Sequence, residues 1–164
     1  MKNPYQVVKD FEEAVSEYTG APNVVAVDSC TNALFLSLMY YRTTLHWVKN
    51  LTDIKIIIPK FTYLSVPQQI RHAGFEVKFE DIKWKGVYPL TPFPIWDAAR
   101  RFTKDMYYDI TLFNQTKKNN LIFVCTSHHW TKPLGIERGG CILHNDSDAD
   151  IWFRKARFHG RTEG

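Results

Sequence analysis

Short β-branched runs alternate with stretches of helical periodicity along this chain, and that alternation constrains its fold more than any other feature. Strands are predicted at 23–28, 53–58, 75–79, 121–126 and 141–144, with a further strand around 94–96. Alternating strands and helices are typical of layered α/β proteins. We therefore expect an α/β fold of three layers, with a mostly parallel sheet flanked by helices.

The helix boundaries are predicted from capping and stop signals. Asn3-Pro4 and Gly20 bracket an amphipathic opening helix, and a strongly apolar helix follows from Asn32 to about Arg42. A third helix is predicted from 62 to 73, because Pro67 is tolerated within the first turn or so. Ser147 is predicted to cap a last helix that runs to about Phe158. Residues 81–94 are interpreted as a connector.

Length, composition and charge exclude several classes of protein. A chain of 164 residues with 45% hydrophobic and 23% charged residues is expected to form one globular domain, residues 1–164. The net charge of +4 is too small and dispersed to indicate nucleic-acid binding. The longest apolar stretch, 33–41, is too short to span a membrane, and the first residues lack a signal-peptide core.

The three cysteines, Cys30, Cys125 and Cys141, are an odd number without metal-like spacing. Reduced thiols and a cytoplasmic location are therefore expected, with neither a metal site nor a membrane partner.

Polar residues follow the predicted strands, where ligands bind in open α/β sheets. Ser29-Cys30-Thr31 opens a helix, whose free backbone N–H groups suit a phosphate, although Ser or Thr there is more often a simple cap. Tyr63 follows the second strand. Its ring could stack on a flat ligand, whereas core packing is the usual role of a lone tyrosine.

Two charged residues complete this set. Asp97 directly follows an apolar strand, and a buried carboxylate needs a partner that stabilises its charge, such as a protonated pyridine nitrogen. Lys132 follows a strand among histidines and aromatics, where a desolvated amine can form a Schiff base, although most lysines are solvated surface charges. The ordered occurrence of all these residues at successive strand ends favours a ligand site.

Five segments carry motifs beyond these single residues. They are FEEAVSEYTGAPNVVAVDSCTNAL (11–34), IIIPKFTYLSVPQQIRHAGFEVKFEDI (56–82), WDAAR (96–100), SHHWTKPLGIERGGCIL (127–143) and RKARFHGR (154–161). Together they resemble the DegT/DnrJ/StrS family of sugar aminotransferases, which have the aspartate aminotransferase fold and use pyridoxal phosphate (PLP). The resemblance covers nearly the whole chain.

The resemblance implies a role for each charged or aromatic residue of the set. Lys132 would be the catalytic residue, binding PLP covalently as a Schiff base and moving protons. Asp97 would hold the pyridine nitrogen of PLP protonated. Tyr63 would stack on the pyridine ring.

The resemblance also implies a phosphate site and shows departures from the family pattern at Cys30, at Arg100 and at His128, which replaces a common aromatic residue. Cys30, Thr31 and Ser127 would bind the phosphate, Cys30 through its backbone. Cys30 replaces the usual glycine, so its side chain could crowd the phosphate turn. Arg100 stands where Gln or His contacts the ring oxygen, and a cation there could still donate a hydrogen bond.

The implied activity is transfer of an amino group, with glutamate as the expected donor, onto a nucleotide-linked keto sugar. A related dehydratase branch has His in place of the Schiff-base lysine, and Lys132 therefore favours transamination. Family members are longer, with a second small domain, and form dimers in which the partner chain contributes to the cofactor pocket.

By comparison this chain is a truncated or reduced member, whose connector at 82–94 lacks a strand and a helix of the family. We therefore expect a homodimer or a complementing second chain; with a second chain, this one would be one part of a split enzyme. The alternative is a catalytically inactive remnant that serves as a PLP-binding or protein-interaction module.

Overall fold

The computed structural model describes residues 3, 5–45, 49–113 and 121–162. The helices of this part are α1 (Gln6–Thr19), α2 (Cys30–Thr44), α3 (Ser65–His72), α4 (Met106–Phe113) and α5 (Ser147–Arg157). The strands are β1 (Asn23–Val27), β2 (Lys55–Pro59), β3 (Glu76–Glu80), β4 (Tyr88–Pro89), β5 (Ile95–Asp97), β6 (Phe123–Ser127) and β7 (Gly140–His144). Among the described residues, no helix is both long and apolar enough to cross a bilayer.

The strands form one five-stranded sheet, in the order β1-β7-β6-β5-β4, and a two-stranded sheet of β2 and β3. A single bridge connects the two sheets, because the Ile57 N–H donates to the Thr91 carbonyl at 2.7 Å and the Thr91 N–H donates back at 3.2 Å. The segment around β4 thus lies between β5 and β2.

The expected α/β fold is confirmed, but its sheet is mixed rather than mostly parallel. β5 pairs with β6 and β2 pairs with β3 in parallel, whereas the β1–β7, β7–β6 and β5–β4 pairs are antiparallel. Antiparallel strands can be joined by a short loop, whereas parallel strands need a long crossover, usually a helix. Both β4–β5 and β6–β7 are connected by loops without a helix, at 90–94 and 128–139.

Alternating residues of the strands face two hydrophobic cores. Val25, Phe123 and Ile142 pack in the core that also contains side chains of α2, α3 and α5. Their neighbours Val24, Val124 and Leu143 pack in the other core, with side chains of α1 and α4. This two-residue period places helices on both faces of the sheet and produces the three layers.

Several predicted boundaries differ from the structure by a few residues. Helix α2 begins at Cys30, since the Ser29 side chain caps it, and α3 begins at Ser65 rather than at 62. Strand β2 begins at Lys55, because a turn of 3₁₀-helix at Leu51–Asp53 precedes it. The cap of α5 is Asp146, whose carboxylate accepts from the Ala149 N–H at 2.6 Å, and not Ser147.

Two elements were not predicted from the sequence. The connector at 81–94 contains β4, which is only two residues long and too short for a period to show. Helix α4 follows Asp105, a residue with a φ of 56°. Met106, Tyr107 and Ile110 of α4 are buried. Their helical spacing is the sequence signal by which this helix could have been predicted.

Candidate functional site

A cavity of about 270 Å³ lies at the carboxyl ends of β1, β5 and β6. Six of the seven predicted site residues line it: Cys30, Thr31, Tyr63, Asp97, Ser127 and Lys132. Ser65, His129 and Thr131 also line it. Strands that point the same way bring their ends to one edge, so residues far apart in the sequence meet there.

The N-terminus of α2 forms one end of the cavity. The first backbone N–H groups of a helix have no partner within it, and the helix dipole favours an anion at this point. Ser29 is the cap, because its hydroxyl accepts from the Asn32 N–H at 3.2 Å. The Thr31 hydroxyl donates to Ser65 Oγ at 3.0 Å, and the buried Ser127 also lines the cavity.

Gly140 allows β7 to pack directly on this turn. A Cβ at this position would lie 2.6 Å from the Cys30 backbone nitrogen and 2.7 Å from the Thr126 carbonyl oxygen. Real Cβ atoms do not approach backbone atoms so closely. The absence of a side chain at Gly140 therefore fixes the start of α2 against β6 and β7.

Asp97 lines the same cavity and is 6% exposed. Its Oδ1 accepts from the Ala99 N–H at 2.9 Å, and its Oδ2 accepts from the Tyr88 hydroxyl at 2.6 Å. Burial raises the pKa of Asp97, while the hydrogen bonds from Tyr88 and Ala99 and the charge of Lys132 oppose this rise. A cation beside the carboxylate would further favour its charged form.

The Cys30 side chain lies on the Asp97 side of the phosphate turn. Its Sγ is 3.5 Å from the Cys125 carbonyl oxygen and 4.0 Å from Asp97 Oδ1. Burial, followed by the nearby Asp97, raises the pKa of the Cys30 thiol well above its usual range. The side chain is therefore a neutral thiol packed against the floor of the cavity.

Lys132 lies in the loop between β6 and β7 and is half-buried. Its backbone N–H donates to the His129 carbonyl at 2.8 Å, which makes a tight turn after Ser127. The charge of Lys132 lowers the pKa of Asp97, so the two side chains interact across the cavity. The β6–β7 loop thus contributes the Lys132 amine to the site, and β5 contributes the Asp97 carboxyl group.

Tyr63 and Arg100 differ in their relation to the cavity. Tyr63 lines it from the loop before α3. Because 74% of its surface is exposed, its ring is accessible to a ligand and is not part of the hydrophobic core. Arg100 is exposed and is not among the lining residues. Its contact with a ring oxygen stays a prediction.

Sequence reasoning missed five polar residues at or behind the site, among them Ser65. His129 and Thr131 belong to the loop of Lys132, and the His129 Nδ1 lies 3.0 Å from the Thr131 hydroxyl. Tyr88 contacts Asp97 and also Thr62. A signal for His129 and Thr131 existed in their closeness to Lys132, but Tyr88 depends on the unpredicted β4.

Residues 1–104 match the profile of the DegT/DnrJ/EryC1/StrS aminotransferase family. The chain belongs to this family. The part that matches the family contains Cys30, Thr31, Tyr63 and Asp97, whereas Ser127 and Lys132 lie beyond it. No curated protein sequence matches the chain significantly.

Several solved structures share the fold over nearly the whole chain. A GDP-4-keto-6-deoxymannose-3-dehydratase with a trapped PLP-glutamate geminal diamine is 17% identical, with a TM-score of 0.67 over 93% of this chain and 47% of that one. A DegT/DnrJ/EryC1/StrS aminotransferase from Brucella abortus is 19% identical, with a TM-score of 0.67 over 96% and 51%.

A third structure, DesI with its TDP-sugar product, is 19% identical, with a TM-score of 0.62 over 94% of this chain and 45% of that one. The chain therefore spans about half the length of these proteins and has the large-domain fold in reduced form.

The family's cofactor is PLP, and the residues around the cavity fit its chemistry. PLP carries a phosphate, a pyridine nitrogen and an aldehyde. The helix N-terminus with Thr31 and Ser127 suits the phosphate, the buried carboxylate of Asp97 suits a protonated nitrogen, and the Lys132 amine suits the aldehyde. Because the cavity is smaller than most sites for drug-sized ligands, it suits one small flat group.

Proposed function

We propose that this chain is a PLP-dependent aminotransferase that acts on a nucleotide-linked keto sugar, with glutamate as the amino donor. The observation that carries the proposal is the meeting of Lys132, the buried Asp97 and the N-terminus of α2 at one cavity. In this proposal Lys132 is the residue that binds the cofactor covalently.

The chain's own groups would hold the cofactor at four points. Cys30 through its backbone, together with Thr31 and Ser127, would bind the phosphate, and Asp97 would receive the ring nitrogen. Tyr63 would cover one face of the ring, and the exposed Arg100 would donate to the ring oxygen. When bound, PLP supplies an electron sink for the carbon that carries the amino group.

Lys132 Nζ has a second role once it is released from the cofactor. There it would act as the general base and acid of the site, taking a proton from the substrate carbon and giving it back as the amino group is transferred. The half-buried position of Lys132 limits competition from water for that proton.

A nucleotide sugar is supported as substrate by two similar structures, a GDP-4-keto-6-deoxymannose-3-dehydratase and DesI with its TDP-sugar product. Because the cavity itself is small, the sugar and nucleotide would lie outside it, over the exposed Tyr63 and the loop of Lys132. Lys132 favours transamination over dehydration.

Exposed aromatic and aliphatic side chains flank the mouth of the cavity, and they support a homodimer or a complementing second chain. They come from the loop before α3 and from the Lys132 loop: Phe61 (75% exposed), Tyr63 (74%), Leu64 (70%) and Trp130 (69%). Clustered apolar surface of this kind is typical of an interaction site.

The same surface favours a second candidate function, a PLP-binding or protein-interaction module without catalysis of its own. It differs from the first in one respect, because bound PLP would not be converted by an amino donor. The three free cysteines, all buried, support a location in a reducing compartment such as the cytoplasm for either function.

The test is a titration of the purified chain with PLP, followed by addition of glutamate. We expect visible absorbance from covalently bound PLP, and its replacement by the spectrum of pyridoxamine phosphate as 2-oxoglutarate forms. Lys132→Ala should abolish both changes, whereas Lys104→Ala, at an exposed lysine that does not line the cavity, should leave them intact.

Binding without conversion would favour the second function. Equal spectra of wild type and Lys132→Ala would contradict the role of Lys132.

A further inference from the structure

The carboxylate of Asp97 is held by a residue from the short strand β4. Tyr88 stands directly opposite Asp97 in the antiparallel register of β4 and β5. Its hydroxyl donates to Asp97 Oδ2 at 2.6 Å, and the Ala99 N–H donates to Oδ1 at 2.9 Å. Each of the two carboxylate oxygens thus accepts one of these hydrogen bonds.

The Tyr88 side chain is buried, with 2% of its surface exposed, and this burial keeps its hydroxyl protonated as a hydrogen-bond donor. Burial, followed by the charge of Asp97, raises the pKa of the Tyr88 hydroxyl far above neutrality. The hydroxyl therefore stays protonated and donates its hydrogen bond to Asp97.

Thr62 lies behind Tyr88 and completes a chain of hydrogen bonds. The Thr62 hydroxyl contacts the Tyr88 oxygen, whose single proton is already donated to Asp97, so Thr62 is the donor in this contact. The indole N–H of Trp84 donates to the Phe61 carbonyl at 2.9 Å. The Trp84 ring packs on the Tyr88 ring, with 4.7 Å between the ring centroids. These contacts fix the phenol ring.

We infer that Tyr88 is a positioning residue for Asp97. The Thr62–Tyr88–Asp97 chain keeps the buried carboxylate charged and oriented, so that it can receive the protonated ring nitrogen of the bound cofactor. The part that concerns the ring nitrogen rests on the proposed function, whereas the link between Tyr88 and Asp97 does not.

The link is tested in the cofactor-free full-length chain by following the carboxyl ¹³C shift of Asp97 against pH. Tyr88→Phe removes one hydrogen bond to the charged form, so the titration of Asp97 should move to higher pH. Tyr107→Phe is the matched control, because Tyr107 is also buried and its hydroxyl bonds to a backbone carbonyl, of Ile122, at 3.4 Å.

Thr62→Val provides a second route that leaves the phenol in place. It should move the titration of Asp97 in the same direction by a smaller amount, since Tyr88 becomes a weaker donor without Thr62 behind it. An unchanged titration in both Tyr88→Phe and Thr62→Val overturns the inference, as does an equal change in Tyr107→Phe.

The cofactor part is tested by titrating the same variants with PLP. Tyr88→Phe should weaken PLP binding about 10-fold, the size expected for a lost hydrogen bond to a charged group, and Tyr107→Phe should not. Equal affinity of Tyr88→Phe and wild type overturns the cofactor part alone. Failure of the wild-type chain to bind PLP overturns the proposed function with it, while the Asp97 titration still decides the link.

Discussion

His128 is a buried imidazole at the base of the Lys132 loop. Its Nε2 lies 3.1 Å from the Thr126 hydroxyl, and the rings of Phe11 and Phe102 contact it edge-on, with centroids 5.5 and 5.8 Å away. Burial lowers the pKa of His128 to about 4. The folded chain therefore holds this ring in its neutral form.

This burial predicts a loss of stability in acid. The unfolded chain protonates His128 below its ordinary pKa of about 6.5, whereas the folded chain does not until about 4. The stabilising contribution is complete above about pH 6.5 and is lost as the pH falls toward 4. At pH 5 the loss is about 2 kcal/mol.

His128→Phe should remove this dependence, because an aromatic ring is retained without a titratable group. Urea unfolding at pH 7 and pH 5 measures it, and the difference in free energy should shrink by about 2 kcal/mol relative to wild type. A variant with the same difference would show that other groups cause the acid sensitivity.

Residues with a local signature could be predicted from the sequence, whereas residues defined by pairing could not. Ser29, Asp97 and Lys132 follow recognisable strands, and the structure places all three at the cavity. Tyr88 reaches Asp97 through a ladder of two residues, and a strand of two residues has no period to detect. The seventh predicted site residue, Arg100, is placed by a turn after β5, outside the cavity lining.

Among the elements, α1 and α5 are tied to the edge strand β1 through Glu12. The carboxylate of Glu12 accepts from the Ala26 N–H at 2.8 Å, from Arg154 at 2.7 Å and from Arg157. Arg154 also donates to the Val24 carbonyl and Arg157 to the Ala26 carbonyl. One side chain that is 5% exposed thus joins three elements.

Glu12→Ala should destabilise the chain by about 3–5 kcal/mol, because it removes one side of a buried ion pair and leaves the Ala26 N–H without this acceptor. Glu13→Ala is the matched control, since Glu13 is exposed on the same helix, and it should change the free energy of unfolding by less than about 0.5 kcal/mol. Chemical denaturation measures both. Similar values for the two variants would contradict the role of Glu12.

The contact between β7 and the start of α2 gives a second prediction for the elements. Gly140→Ala places a methyl group 2.6 Å from the Cys30 nitrogen, so the phosphate turn must move. We expect a loss of about 1–3 kcal/mol, the range for an overpacked core, together with weaker PLP binding.

Gly20→Ala is the comparison for this variant. Gly20 has a φ of 74°, and a Cβ there would meet Asp105 only at 3.7 Å, an ordinary contact distance. It should cost about 1 kcal/mol and leave PLP affinity unchanged. Unchanged PLP affinity in Gly140→Ala would show that the turn does not bind the phosphate.

For the whole molecule, the sequence predicted the layers better than the strand directions. Helical and strand periods determine which faces are apolar, and the two cores follow from them. The direction of β4 and β7 depends instead on whether their connections hold a helix, which the aromatic-rich connector and the Lys132 loop do not reveal.

The surface at the mouth of the cavity predicts self-association or binding of a second chain. Trp130→Ser should reduce association, because it removes a side chain that is 69% exposed beside the Lys132 loop. Ile151→Ser is the control, as Ile151 is 56% exposed on α5 and does not line the cavity. Sedimentation velocity across a concentration series measures association, and identical behaviour of the two variants would contradict this placement of the interface.

The central claim, that Lys132 and Asp97 form a working PLP site, is tested most directly by reducing the purified chain with borohydride in the presence of PLP and mapping the modified peptide. We predict a single stable pyridoxyl adduct on Lys132, and loss of that adduct when Lys132 is replaced by alanine. An adduct spread over exposed lysines, or none on Lys132 in a folded chain, would contradict the account.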